Sequence, residues 1–253
     1  LGVLASVEES TLRELDLRSE AEGVEILRKL RDEGLERLPH LAKLEFPKVY
    51  HEYSNADLLV TEWRPEPSVN ELIADGKFTY ENVLSLFRIH GYFLFLRGTF
   101  HGDLHPGNIF FREGTFVFLD NANVETAPRE LTAGILGLLS SLGADDIEGA
   151  ADNVAALSST PLSESQDRRL REGMKSLYAG FAGKPVAEAS LTKQMMDTVK
   201  LAVDCGVAFP EKAFPVIKSL MTLDGIVGEV APDAVLLRDT RRFGEDLQLA
   251  WCA

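Results

Sequence analysis

Residues 101 to 120 read HGDLHPGNIFFREGTFVFLD, and three of their side chains could act together on one phosphate. Asp103 is followed five positions later by Asn108, and Asp120 closes the stretch. A carboxylate at 103 can accept a hydroxyl proton. The Asn108 amide oxygen and the Asp120 carboxylate are hard oxygen donors of the kind magnesium takes. Phosphoryl transfer from a nucleotide needs such a set, because it is catalysed mainly by positioning and by neutralising charge. Asp and Asn also cap backbone groups in tight turns, which is the structural alternative. Capping does not explain why a second carboxylate stands at 120.

The surrounding pattern says how these groups are carried. Apolar residues alternate over Asn108 to Phe111 and Thr115 to Leu119 around Glu113-Gly114, which predicts a β-hairpin. That hairpin returns Asp120 to the loop bearing Asp103 and Asn108. Upstream, Thr79 to Arg97 reads as a buried helix with Thr79 as N-cap and Gly98 as its stop, delivering the chain into His101. Lys48 to Tyr53 and Leu58 to Trp63 are two strand-like runs joined by Ser54-Asn55-Ala56, ended by Pro65 and Pro67. Residues 7 to 33 predict a helix with an apolar stripe at Leu12, Leu15, Val24, Leu27 and Leu30. If it is continuous, Asp16 and Glu20 share a face and Glu14 points elsewhere. By spacing alone these acids also fit a solvated face. From Pro128 the pattern is helical, with breaks near Gly143, Ser158 to Ser165, Gly183 to Pro185 and Ala208 to Pro210. Asp145-Asp146 reads as a helix start rather than a metal site.

Composition narrows the function classes. A net charge of −14 over 253 residues argues against a nucleic-acid surface and against docking on anionic lipid. Cys205 and Cys252 are too few for a disulfide framework and lack metal-ligand spacing, so a cytoplasmic protein with reduced thiols is expected. No signal peptide or transmembrane segment is expected, since the longest apolar stretch, Leu131 to Leu142, is short and interrupted. His101 and His105 are four apart, but Gly102, Pro106 and Gly107 prevent a helix from presenting both to zinc.

HGDLHPGN, with His105 and Pro106 inside it, resembles the atypical kinases: the aminoglycoside and choline phosphotransferases and the UbiB (AarF, ADCK) family. ELDLRSEAE, from Glu14, resembles the ELDxxxEA signature of the UbiB family, which the aminoglycoside enzymes lack. The resemblance implies an α+β, protein-kinase-like fold. Residues 1–64 would be a partial N-lobe of helix and β-hairpin, and 65–253 a mostly helical C-lobe with the catalytic loop and metal-binding hairpin. ATP and Mg2+ are the implied cofactors. Asp103 and His101 are the candidate catalytic pair, the histidine bracing the loop, and Asn108 and Asp120 are the metal ligands. Glu20 would match the helix glutamate that pairs with the nucleotide-binding lysine, and Glu14 and Asp16 the ExD motif facing the family's N-terminal extension. Glu62 and Trp63 would lie at the link between lobes, where adenine binds.

Two departures stand out. Asn121-Ala122 replaces the usual Phe-Gly after the metal aspartate, and Ala122 disfavours positive φ. The sequence also holds no KxGQ motif, and Lys29 and Lys43 are misplaced for the strand lysine. The expectation is therefore a Mg-ATP kinase or ATPase of the kind that supports isoprenoid-quinone or related small-molecule biosynthesis, completed by an upstream segment or another chain. Its partners would be a nucleotide and that completing segment, with at most peripheral membrane contact. The alternatives are a pseudokinase-like binding scaffold and a small-molecule phosphotransferase of the aminoglycoside or choline kinase type.

Overall fold

The computed structural model describes residues 16–181, 183–210 and 212–240. The chain divides into two compact units, one of residues 1–78 and 99–125, the other of residues 79–98 and 126–253.

In the first unit, α1 (Arg18–Gly34) buries Ala21, Val24 and Leu27 along one stripe. Residues 7–15 of the expected helix lie outside the described residues. The hairpin forms as its pattern dictates: β3 (Ile109–Arg112) and β4 (Thr115–Phe118) pair antiparallel, with Arg112 opposite Thr115. Glu113 and Gly114 both take positive φ, 51° and 87°, the twist a two-residue hairpin loop needs. The short β1 (Leu44–Glu45) joins parallel to β4, giving the order β1-β4-β3. Because β4 is the central strand, the hairpin groups with the N-terminal residues, whereas 65–253 was expected to hold it. Aromatic edges fill the space beneath, Phe78 against Phe111 at 5.3 Å and Phe46 against Phe118 at 6.1 Å. A short helix, α2 (Val69–Ala74), opens with a capping box in which Ser68 and Glu71 satisfy each other's backbone N–H.

The two strands expected at 48–53 and 58–63 do not form. A ribbon remains, with a single bridge at Val49 and Thr61 and backbone bonds from Tyr50 to Val60 and Glu62 to Lys48. His51–Tyr53 coils into a 3-10 turn instead. Tyr53, Leu58 and Trp63 are exposed, so the alternating side chains have no apolar face to bury, and alternation without burial does not hold a strand.

The second unit is helical. In α3 (Tyr80–Gly91) the Thr79 hydroxyl accepts from the Asn82 N–H, and the helix widens into a π turn at Tyr92–Arg97 before Gly98, at φ 62°, stops it. α4 (Arg129–Gly143), α5 (Ile147–Ala156), α6 (Glu164–Leu177), α7 (Leu191–Asp204) and α8 (Ala213–Val230) follow, the first packed on the π turn and each of the others on its predecessor. Their breaks fall where Gly, Ser and Pro cluster. Asp146 caps α5, accepting from the Gly149 N–H at 2.9 Å, as the paired acids suggested. Leu138, Leu142, Val154, Leu170, Met174 and Tyr178 lie at the heart of this unit's core. Back in the first unit, β2 (Thr99–His101) pairs with β5 (Val124–Thr126), whose last residue is where the second unit resumes.

Candidate active site

The loop from His101 to Asn108 is held by its own backbone and by one imidazole. Gly102 donates to the Asn123 carbonyl at 2.7 Å, an approach so close that an added Cβ would press on Asn123 and Glu125. Asn108 N–H donates to the His105 carbonyl at 2.8 Å, and Leu119 N–H to the Asn108 carbonyl at 2.9 Å. His101 is 1% exposed. Its Nδ1 accepts from the Asp103 N–H at 3.1 Å, which leaves the proton on Nε2 to be donated to the Leu119 carbonyl, also at 3.1 Å. Burial holds its pKa below the ordinary 6.5, against the opposite pull of the Leu119 carbonyl and the carboxylates at 120 and 103. A neutral imidazole thus ties the backbone of Asp103 to the residue before Asp120.

Asp120 lies where the hairpin should deliver it. Its Oδ2 accepts from the Asn108 amide Nδ2 at 3.0 Å. It adopts φ 55°, a left-handed conformation that aspartate tolerates at some cost. The positive φ therefore falls on Asp120 itself rather than on Ala122. What holds it is the segment behind. Asn121 is fully buried, its Nδ2 donating to the Phe118 carbonyl at 3.1 Å and to Glu20 Oε1 at 3.3 Å. Glu20 Oε2 accepts from the Ala122 N–H at 2.7 Å. Gly23, one turn further along α1, lets the helix touch the Asn121 carbonyl, since a Cβ there would overlap it. The Glu20 pKa is raised, chiefly by burial, with the hydrogen bonds to Asn121 and Ala122 opposing.

An amide and a carboxylate in contact, with Asp120 on the exposed side, give the hard oxygen donors that suit a divalent cation bound to phosphate. The donor set fits magnesium.

The remaining expected residues are placed as follows. Glu14 lies outside the described residues. Asp16 precedes α1 instead of sharing a helical face with Glu20; it accepts from the Arg18 N–H at 3.1 Å and pairs with its guanidinium at 2.7 Å. The reason is that the helix starts at Arg18, so the one-turn spacing no longer applies. Glu62 Oε2 accepts from the Lys48 N–H at 3.2 Å, and Trp63 stands 85% exposed. Sequence reasoning missed Arg64 and Asn121. Arg64 gathers Glu45 at 2.6 Å and Glu66 at 3.0 Å around a largely buried guanidinium. Alternating charge in Glu-Trp-Arg-Pro-Glu was the available signal. Asn121 carried none beyond standing in place of a larger apolar residue.

Comparisons with known proteins agree on one family. A model described as the ABC1 atypical kinase-like domain matches residues 2–154. The uncharacterized protein sll1770 of Synechocystis is 26% identical over 196 residues, 75% of this chain and 33% of that protein. Protein ACTIVITY OF BC1 COMPLEX KINASE 1, chloroplastic, of Arabidopsis thaliana is 26% identical over 234 residues, 89% of this chain and 32% of its own length. The chain thus spans about a third of these two curated relatives. A solved structure described as the complex structure of Rv3197-erythromycin from Mycobacterium tuberculosis superposes with a TM-score of 0.51 at 17% identity, covering 92% of this chain and 62% of that one, which speaks for the fold. No helix among the described residues is long and apolar enough to cross a membrane.

Proposed function

The chain belongs to the ABC1 atypical kinase-like family, and on that premise we propose that it works as a nucleotide-dependent kinase or ATPase centred on Asp103, Asn108 and Asp120. The observation that carries this is the 3.0 Å contact of the Asn108 amide with the Asp120 carboxylate, twelve residues apart, with the Asp103 backbone tied through His101 to the residue before Asp120. Asn108 and Asp120 would hold magnesium, which when bound neutralises phosphate charge. Asp103 accepts the proton of the attacking hydroxyl or water. His101, a positioning residue, holds the Asp103 backbone, and Glu20 with Asn121 fixes the left-handed turn at Asp120. Glu62 and Trp63 are proposed to face the adenine, and Glu14 and Asp16 the segment that completes the phosphate-covering part. That segment would be supplied upstream or by another chain. Quinone-related or other small-molecule biosynthesis from a cytoplasmic, at most membrane-peripheral position is the setting that suits this reading.

One observation favours a second reading, a pseudokinase-like scaffold: Glu20 spends its oxygens on Asn121 and Ala122 instead of on a lysine. Two variants separate the readings. Asp103→Ala should lower turnover about 10²- to 10⁴-fold and leave magnesium-dependent nucleotide binding nearly intact. Asp120→Asn should weaken that binding, read as a smaller rise of the melting midpoint with Mg-ATP. Wild-type behaviour from both would refute the enzyme. Nucleotide binding without turnover, even with an upstream segment of a relative added, would establish the scaffold.

A further inference from the structure

Helix α7 buries one side and exposes the other. Leu191, Met195, Thr198 and Ala202, at helical spacing, form its buried stripe, and α6 and α8 pack against the helix. The other side carries Lys193, Asp197, Lys200 and Asp204, within an arc of about 60° at 3.6 residues per turn. Lys193 with Asp197, Asp197 with Lys200, and Lys200 with Asp204 are all spaced to bond along the helix. None of these pairs closes. Among the described residues the four side chains make no ion pair and no hydrogen bond, and Asp204 lends only its carbonyl, to Arg169 at 2.8 Å.

A charged helix face is ordinarily just solvated, and exposed apolar side chains that stand singly need no explanation. Here the two adjoin. Met196 and Val203, both exposed and seven residues apart, run beside the charges. Phe214, exposed at the start of α8, follows Ala213, which lines a small apolar cavity together with Val199 of α7. The charges also follow a rule. Along the helix they are spaced four, three, four, the same from either end, while their signs invert on reversal. A helix with that property is complementary to its own antiparallel copy.

We propose that this face pairs with a second copy of the chain, α7 against α7 and antiparallel, about a two-fold axis passing between Thr198 and Val199. In that register Lys193 falls opposite Asp204 of the second copy and Asp197 opposite its Lys200, and the two-fold repeats both pairs. Met196 then comes within two residues of Val203 of the second copy, about 3 Å along the axis. The apolar stripes therefore meet on the same side of the seam. A net charge of −14 makes copies of the chain repel, so contact between them needs local complementarity of this kind. Any other partner would have to reproduce a pattern that the helix already supplies to itself. The interface involves none of Asp103, Asn108 and Asp120 and does not rest on the kinase reading.

The test is sedimentation velocity on the full chain over a concentration series, with Asp197→Lys, Lys200→Asp and a mixture of the two variants. The wild type is expected to shift toward dimer as its concentration rises. Both substituted side chains reach solvent, so neither change disturbs the core. Across a two-fold each substitution counts twice, turning two attractions into two repulsions, so each variant alone should associate about 10-fold more weakly. Mixed together the variants should form a heterodimer as readily as the wild type forms its homodimer. At these two positions one variant then offers only cations and the other only anions. A wild type that stays monomeric to its solubility limit overturns the proposal. So does association that neither substitution weakens, which places the contact elsewhere, and so does a mixture that associates no better than its components.

Discussion

The two units of this chain are held together by different means. In the helical unit, order is spread over many contacts: apolar residues at helical spacing, a capping residue at most helix starts, and a core of a dozen buried side chains between Leu138 and Val207. In the unit bearing the candidate site, regular structure is sparse, and single polar side chains grip backbone atoms far away in sequence: His101 on Leu119, Glu20 on Ala122, Arg112 on the Pro65 carbonyl. Redundant packing tolerates change. A set of single grips does not, but it fixes a loop to the tolerance that chemistry needs.

The same substitution should therefore have opposite signs in the two regions. Gly23→Ala and Gly225→Ala each replace a glycine inside a helix, where alanine is worth up to about 1 kcal/mol on propensity alone. At Gly23 the new methyl group meets the Asn121 carbonyl, a backbone atom that cannot rotate away. We expect a loss of roughly 3 kcal/mol or more, read in urea unfolding, together with weaker Mg-nucleotide binding because the turn behind Asp120 must shift. At Gly225 the space is open, and a gain of about 0.5–1 kcal/mol is expected. Equal effects at both positions would remove the contrast.

Buried titratable groups sharpen it further. In the first unit, burial depresses the pKa of His101 below 6.5. A depressed pKa means the unfolded chain takes up the proton first, so the stability His101 contributes is intact above pH 6.5 and is lost as the pH falls below it. In the second unit, burial pushes the Tyr178 phenol up to about 12, while its hydrogen bond to Thr198 pulls the other way. That contribution is intact below pH 10 and is lost as the pH rises toward 12. Acid should therefore loosen the site-bearing unit and alkali the helical one. Hydrogen exchange followed at pH 5.5, 7 and 11 would show it, and His101→Gln should remove the acid-side step while lowering stability at neutral pH. An unchanged acid profile in that variant would mean that other groups carry the acid sensitivity.

Legibility in the sequence follows the same division. The helical unit could be read because its devices are local: Thr79, Gly98, Asp146 and the breaks at Gly143 and Pro210 act within a few residues of themselves. The hairpin was legible for the same reason, as Glu113-Gly114 and the alternation around them are sufficient. What could not be read was long-range. The sequence shows two strand-like runs at 48–53 and 58–63, and nothing in them says that they lack a sheet to lie on. The polar pattern of Glu20 and Asn121 says nothing of their meeting across about a hundred residues. Asp103, Asn108 and Asp120 could be proposed as a set because chemistry limits which residue types can serve, and of these the structure joins Asn108 to Asp120. Their braces were not, because any side chain that reaches the right carbonyl would do.

The two capping boxes test the contrast at its smallest scale. Ser163 and Gln166 open α6 on the exposed surface, and Ser68 and Glu71 open α2, with Ser68 itself buried. In each, the serine side chain accepts from the N–H three residues on. Ser163→Ala should cost about 0.5–1 kcal/mol, the ordinary value for an exposed cap, with no effect on nucleotide binding. Ser68 is also bridged to Phe110 of the hairpin, and the residues around it, Pro67 and Asn70, bond Phe111 and Pro106. Its helix is only six residues long, so the box is a large share of what holds it. Ser68→Ala should therefore cost nearer 2 kcal/mol, take away the hydroxyl that the Glu71 carboxylate and backbone both use, and disturb the Pro106 end of the loop from His101 to Asn108. Chemical shifts of Gly107 and Asn108 would move in the Ser68 variant and stay fixed in the Ser163 one. If instead both boxes cost the same and the loop does not respond, α2 is a passive spacer, and the rigidity of the loop must come from His101 alone.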